Sequence, residues 1–384
     1  MKKVIIIHHE PLTIKIKRNF YINDLLSNHI EVEYWDISPM LYGDFSLVDQ
    51  LVETYCKSFK TIEELESCII LNKESVFITE YAHTIDTLFI DNLLFKNKCI
   101  TSEIGIHTAI NISLKEKIVN LRSYGFKIST IILKVYKKFK YLLLKLLYKV
   151  KSNPDIAFYC GSESKKHFTG VQCVVPINSF DYEDNISLNE NMDNNYNENS
   201  YIVFIDQYYP YHPDMYAYGA YKMDDKKYFA NLNRVFSLIE NKYNRKVIIL
   251  GHPKSNYPKD LFLGREIIKY RTAELVKKSY MVLCHDSMAI SFAVLNYKPI
   301  LFLYTEDFYH LGISTMILIS KFSKLLKRPC VNIDNVCPTD FDNIISVNRT
   351  LYDRYKYMYL TTKESEDSIN SVIIPDALKS YINE

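Results

Sequence analysis

The stretch RTAELVKKSYMVLCHDSMAISFAVLNYKPILFL, residues 271–303, decides how this chain is read. A short helical pattern covers Thr272 to Lys278, with Thr272 as the expected N-cap. The apolar run Tyr280–Cys284 follows and ends at His285-Asp286-Ser287, which is expected to open a helix to about Leu295. Pro299–Tyr304 is the next apolar run. Short, almost wholly apolar runs alternating with helices are the pattern of strands buried on both faces of a parallel sheet. Upstream, Tyr201–Ile205, Lys246–Leu250 and a short piece at Glu266–Lys269 read as further strands. Between the first two lies a helix starting at Asp224-Asp225, with acidic residues at its positive end, and running to about Tyr243. The alternation predicts a doubly wound, Rossmann-like α/β unit. It lacks G-x-G-x-x-G and any P-loop, which argues against a dinucleotide or P-loop nucleotide cradle.

The first half reads as a second α/β unit. Strands are expected at Val4–Ile7, Val32–Trp35, Ile69–Leu71, Val76–Thr79, Ile156–Cys160 and Val171–Ile177. Helices are expected over 12–28, 46–58, 62–67 and 84–95. The Asn/Asp/Glu-rich run 181–200 has no apolar period and reads as solvated. The expected organisation is residues 1–185 as one domain, 186–200 as a linker, 201–350 as a second domain, and 351–384 as a helical segment packing back on the first.

With 384 residues, 48% hydrophobic and 24% charged, the chain has the make-up of about two globular domains. Its eight cysteines form no C-x-x-C pair, which fits free thiols in a reducing cytosol and no zinc site. The four apolar residues after Met1-Lys2-Lys3 are too short for a secretory signal, and no run suits a membrane span. A net charge of +2 hides an asymmetry: residues 113–151 carry ten Lys and one Arg against one Glu. Within that segment Ile128, Ile131, Ile132, Val135, Phe139, Leu142, Leu143, Leu146, Leu147 and Val150 form one helical stripe. Lysines flank it, so a basic amphipathic helix is expected over 124–150. It either packs on its own domain or docks on an anionic membrane surface. No aromatic stacking motif or recognised fold signature accompanies the charge, so no nucleic-acid partner is expected.

Ligands of open parallel sheets bind beyond the carboxyl ends of the strands. Three strands here end in polar groups: Asp206-Gln207, His252-Pro253-Lys254 and His285-Asp286-Ser287. His252 is suited to a departing phosphate oxygen, as cation or proton donor, and Lys254 can add charge to it. Ser287, at an expected helix start, offers a hydroxyl and free backbone N–H groups to an anion. Either Asp286 or Ser287 is an ordinary N-cap on the plainer reading, and His285 is either a ligand-facing neighbour or hydrogen-bonded structure. Glu274 can accept the two hydroxyls of a ribose. Asp206 is a candidate base or orienting carboxylate. In the first half, either Glu80 with His83 or Glu103 with His107 could deprotonate an acceptor hydroxyl; Glu103 is the preferred base.

These residues lie in stretches with a family pattern. DIAFYCGSES (155–164), INSFDYED (177–184), YIVFIDQYYPYHPD (201–214), VIILGHPKSNY (247–257) and residues 271–303 together resemble bacterial glycosyltransferases of capsule and lipopolysaccharide assembly. The pattern is similar to that of sialyltransferases, polysialyltransferases and Kdo transferases, which carry a His-Pro and a later Ser motif. The resemblance implies a GT-B fold, two Rossmann-like domains facing a central cleft. It implies an inverting, metal-independent transfer without cofactor, from a nucleotide sugar, CMP-sugar favoured, to a glycan or lipid-linked glycan on the inner face of the cytoplasmic membrane. On that resemblance His252 contacts the donor phosphate and assists its departure, Ser287 binds it and Glu274 takes the ribose, with Pro253 and Thr272 counted among the donor-binding residues. The acidic-acidic-Gly base motif of sialyltransferases has no counterpart here. A UDP- or GDP-sugar donor, a CDP-glycerol-type donor, and a non-catalytic carbohydrate-assembly protein of the same fold stay open.

Overall fold

The computed structural model describes residues 2–43, 49–105, 128–148, 150, 153–188, 196–212, 223–258, 260–311 and 315–382. Two compact units emerge, divided at Phe180/Asp181 and again at Leu360/Thr361, so that the second unit holds Asp181–Leu360 and the first takes back the carboxyl-terminal residues.

The first unit is built on β1 (Val4–His8), β2 (Val32–Asp36), β3 (Cys56–Ser58), β4 (Val76–Glu80), β5 (Ile100–Gly105), β6 (Ile156–Tyr159) and β7 (Cys173–Pro176). They form one parallel sheet in the order β3-β2-β1-β4-β5-β6-β7. Val4, Ile5, Ile6 and Ile7 are each fully buried, which is why the run is apolar without alternation. Even-numbered residues of β1 and β4 feed one core with the helices Ile14–Asn19, Ile22–Ser27 and Asn370–Ile382; odd-numbered ones feed the other with Trp35, Leu65 and Ile90. The Asn370–Ile382 helix adds Ile374 and Leu378 to the first core. Buried Asn370 fixes its start: its Oδ1 accepts the Asn178 N–H at 2.8 Å, and its Nδ2 donates to the Tyr21 hydroxyl at 2.8 Å.

Three local expectations are corrected here. The segment 12–28 is two helices, because Tyr21 turns the chain in the left-handed region at φ 52°. In 46–58, Gln50 bridges Thr13 and Cys56–Ser58 extends the sheet beside β2; of that segment, 44–48 lie outside the described residues. Ile69–Leu71 is the last turn of a helix, Ile62–Leu71, opened by a capping box between Thr61 and Glu64. Only Ile69 of the triplet is buried, whereas Leu71 is 82% exposed, so this apolar run was not a core strand.

The expected basic helix is observed over Ile128–Leu147; residues 124–127 and 149 of the expected span lie outside the described ones. In its last turns Tyr141, Leu144 and Lys145 are half-buried, while Phe139 (65% exposed), Leu146 (75%) and Leu147 (67%) face away from the unit's core. Among the described residues no helix is long and apolar enough to cross a membrane.

The second unit holds β8 (Tyr201–Ile205), β9 (Lys246–Leu250), β10 (Ile267–Ile268), β11 (Val282–Cys284), β12 (Ile300–Tyr304) and β13 (Cys330–Asn332). Their parallel order is β10-β9-β8-β11-β12-β13, the doubly wound 3-2-1-4-5-6 arrangement. The helix Asp225–Tyr243 is capped by Asp224, whose carboxylate accepts the Lys227 N–H at 3.0 Å. It packs Phe229, Leu232, Phe236 and Ile239 into the core of this unit.

Candidate active site

Strand order reverses between β8 and β11 in the second unit, and β9 lies on the other side of β8. Ile205 is in register with both Leu250 and Cys284. The residues that follow, Asp206, Gly251-His252 and His285-Asp286, therefore leave three neighbouring strands at one level. The sheet brings together the three polar strand ends anticipated in the sequence.

Their side chains are ordered by a tyrosine-rich shell. Asp206 is 3% exposed. The Tyr257 hydroxyl donates to its Oδ2, while its Oδ1 is buried without a hydrogen-bond partner. Burial lifts this carboxyl to about 6, against the pull of that hydroxyl and of the Gln207 and Tyr208 N–H groups. Asp286 is raised to about 6 by the same cause. Its backbone N–H donates to Gln207 Oε1 at 3.0 Å, and the Tyr209 hydroxyl lies 3.4 Å from its Oδ1. Tyr208, at φ 62°, and the cis Tyr209-Pro210 bond turn the chain back over these groups.

His285 is fully buried. Its Nδ1–H donates to the Leu303 carbonyl at 2.7 Å, which leaves Nε2 to accept the Tyr228 hydroxyl at 2.8 Å. Burial depresses it to about 4, so it is a neutral strut, and the expectation of a ligand-facing ring is not met. Ser287 is half-buried, but the helix begins only at Ile290; a loop corner, not a helix start, carries the serine, and its Oγ accepts the Ala289 N–H at 3.3 Å. Thr272 is the first helical residue, and Arg271 occupies the cap position. Glu274 is gripped by the Arg271 guanidinium through two bonds of 2.9 and 2.8 Å.

His252 is half-buried on the turn after β9. Gly251 makes that turn possible, because a Cβ there would stand 3.1 Å from Ile267 Cγ2 and 3.3 Å from the Tyr257 ring. The Lys254 N–H donates to His252 Nδ1 at 3.2 Å, so the neutral ring carries its proton on Nε2. His212 packs edge-on against it, ring centroids 4.9 Å apart. Pro253 and Lys254 are exposed on the same turn.

The first unit separates the acidic candidates. Ile78 pairs with Ser102, so Glu103 shares a face with Thr79 and Glu80 shares the opposite face with Ile104. Glu103 lines a cavity of about 400 Å³ with His83, Asp91, Tyr141 and Lys145. There His83 Nδ1 lies 3.2 Å from Asp91 Oδ2, and the Tyr81 hydroxyl donates to Asp91 Oδ1 at 2.8 Å. The pairing is thus His83 with Asp91, on the Glu103 side; His107 lies outside the described residues. Sequence reasoning missed Tyr257, and the tie of Gln207 and Tyr209 to the carboxylates, which comes from the folding of the 207–212 and 252–258 turns over neighbouring strands.

Solved structures similar to this chain include a variant of the wall teichoic acid polymerase TagF, with TM-score 0.54, 11% identity, and coverage of 100% of this chain and 89% of that one. The glycotransferase of kitacinnamycin gives TM-score 0.53 at 8% identity, covering 99% of both chains. CalG4, the calicheamicin glycosyltransferase, gives 0.52 at 8% identity over 100% and 99%. The fold is GT-B. No family model matches the chain, and no curated protein sequence does.

Proposed function

We propose that this GT-B chain is a glycosyltransferase that moves a sugar from a nucleotide donor to a hydroxyl of a bacterial surface glycan, by direct inverting displacement without a metal. One observation supports it above the rest: His252, Asp206 and the Asp286–Ser287 corner leave three adjacent strands at the reversal point of the second sheet. In this reading the second unit binds the donor and the first the acceptor. The Nε2–H of His252 meets the leaving phosphate oxygen, with Ser287 and Lys254 sharing its charge. Glu274, fixed by Arg271, keeps lone pairs for ribose hydroxyls. Asp206 is a positioning residue, because it is buried beneath Tyr257 and does not face a substrate. The residues of Ile128–Leu147 that point outward, apolar between lysines, suit an anionic membrane that carries lipid-linked acceptors.

The favoured donor is a CMP-activated nonulosonic or Kdo-type sugar, on the strength of the His-Pro and Ser motifs. A UDP- or GDP-sugar or a CDP-glycerol-type donor is the second reading; the fold shared with the three similar structures leaves the nucleobase open. Thermal shift with CMP, CDP, UDP and GDP separates the readings, because a ligand at 100 times its dissociation constant adds about 2.7 kcal/mol. Selective stabilisation by CMP, followed by transfer from a CMP-sugar, is the expected result. No shift with any of the four and no transfer would leave a non-catalytic assembly protein.

A further inference from the structure

The first sheet has a reversal point of its own, between β1 and β4. His8 and Glu80, the last residues of those strands, are register partners. Both share a face with Ile6 and Ile78, the face opposite Glu103. A cavity of about 190 Å³ opens there, lined among others by His8, Thr13, Asn19, Phe20, Glu80 and Phe180. Thr13 Oγ1 is already committed to the Ile16 N–H at 3.2 Å, and His8 Nδ1 to the Glu10 N–H at 3.0 Å. Asn19 and Glu80 present the remaining acceptor oxygens, with Glu10 and Lys15 also on the lining. Asn19 Oδ1 is buried with no hydrogen-bond partner, and the Glu80 carboxylate lines the same cavity. Two acceptor-only oxygens beside two phenyl rings call for a ligand with several hydroxyls and an apolar face. The volume lies below the roughly 300–1,000 Å³ of drug-sized sites, which suits a single sugar ring.

We propose that this cavity holds the acceptor sugar and that Glu80 is the catalytic base. This rests on the glycosyl-transfer reading above. The Glu80 carboxylate takes the proton of the acceptor hydroxyl while that oxygen bonds to the anomeric carbon. The bond from that carbon to the phosphate oxygen breaks, and its electron pair leaves with the nucleotide. The electrostatics agree. Burial, followed by the charge of Glu103, lifts Glu80 to about 7, while His83 pulls the other way. Of the other groups around it, His8 is kept neutral by burial, at about 4; His9 Nδ1 lies 3.2 Å from the Glu80 carbonyl, and Glu10 and Lys15 line the same cavity. A base near neutrality is matched to the work.

The test uses the full chain with the nucleotide sugar that the thermal screen selects. Glu80→Gln is expected to cut kcat by about 10²–10⁴-fold and to abolish the fall of kcat/KM below pH 7, with the nucleotide-induced thermal shift unchanged. Asn19→Ala is expected to raise the acceptor KM about tenfold at unchanged donor KM, as for loss of one hydrogen bond of about 1.4 kcal/mol. A Glu80→Gln enzyme with wild-type turnover and the same acidic limb overturns the base, and an unchanged acceptor KM in Asn19→Ala overturns the subsite. In both cases wild-type transfer leaves the glycosyltransferase reading standing. A wild-type chain that transfers no sugar overturns that reading and this proposal together.

Discussion

The two sheets reverse their strand order in the same way, yet the side chains at the two reversal points are treated differently. At β8/β11 each carboxylate has a tyrosine hydroxyl beside it, Tyr257 at Asp206 Oδ2 and Tyr209 at Asp286 Oδ1, with His285 locked between Tyr228 and Leu303, and Asp206 Oδ1 is buried without a partner. At β1/β4 Asn19 Oδ1 is buried without a partner and half-buried Glu80 lines an open cavity beside it. Buried polar groups are normally satisfied, because leaving one unmade costs about 1–3 kcal/mol. The contrast teaches that the second unit spends its polar groups on a rigid platform. The first keeps acceptors in a cavity, where a substrate hydroxyl can satisfy them.

The largest expected effect falls on the imidazole that the platform turns toward the donor. His252→Ala should lower turnover by about 10²–10⁴-fold, measured as transfer with saturating donor, with a melting temperature near wild type because the side chain is half-buried on a turn. Near-normal turnover would break the division between platform and cavity.

The next tests whether the platform is built on satisfied carboxylates. Tyr257→Phe deprives Asp206 of its hydroxyl donor while the carboxylate stays 3% exposed. A loss of about 3 kcal/mol is expected in chemical denaturation, the upper range for a charged buried group. Asn19→Ala in the first unit should not destabilise the fold, since its Oδ1 has no bond to lose and its removal relieves an unmet buried acceptor.

A third prediction uses pH. Asp206, with its pKa raised from 3.8 to about 6, binds a proton more tightly when folded than when unfolded. Between about pH 4 and 6 the native state therefore holds the extra proton, and this group's stabilisation is lost as pH rises through 6. Relative to wild type, Asp206→Asn should gain about 2 kcal/mol on going from pH 4.5 to 7, read from paired denaturation curves. His285, lowered to about 4, has the opposite slope, with stability rising from about pH 4 to 6.5, and is unchanged in that comparison.

How much of this was legible depends on how local each signal is. Strands of the second sheet could be read because a strand buried on both faces must be apolar throughout, as Tyr201–Ile205 and Ile300–Tyr304 are. Their polar ends could be read for the same reason, since a His or Asp after such a run marks the sheet edge. The same rule misfired at Ile69–Leu71, where the capping box of Thr61 and Glu64 upstream governs the backbone and the apolar triplet is half solvent-facing. Ser287 looked like a helix start because three residues of loop before Ile290 leave no mark in composition. The Glu80 cavity was out of reach: Asn19 comes from a helix some sixty residues earlier, and only the β1–β4 pairing brings that helix over the strand end. Strand parity, once the register is known, is what separates Glu80 from Glu103.

The smallest expected effect on the fold comes from the Ile128–Leu147 helix. Phe139, Leu146 and Leu147 are 65%, 75% and 67% exposed, so replacing them with Ser removes almost no buried area and should shift stability by under about 0.5 kcal/mol. Their effect should appear on a surface instead. An apolar stripe set among lysines gains from inserting side chains below lipid headgroups and from about 1 kcal/mol per Lys near an anionic surface. Co-sedimentation with vesicles containing anionic lipid should fall several-fold for Leu146→Ser with Leu147→Ser, and wild-type binding should weaken as salt shortens the screening length from about 10 Å at 0.1 M to 3 Å at 1 M. Equal binding to neutral vesicles, or none to either, would reduce the stripe to an exposed face without a membrane role. The contrast between the two units would then rest on their reversal points alone.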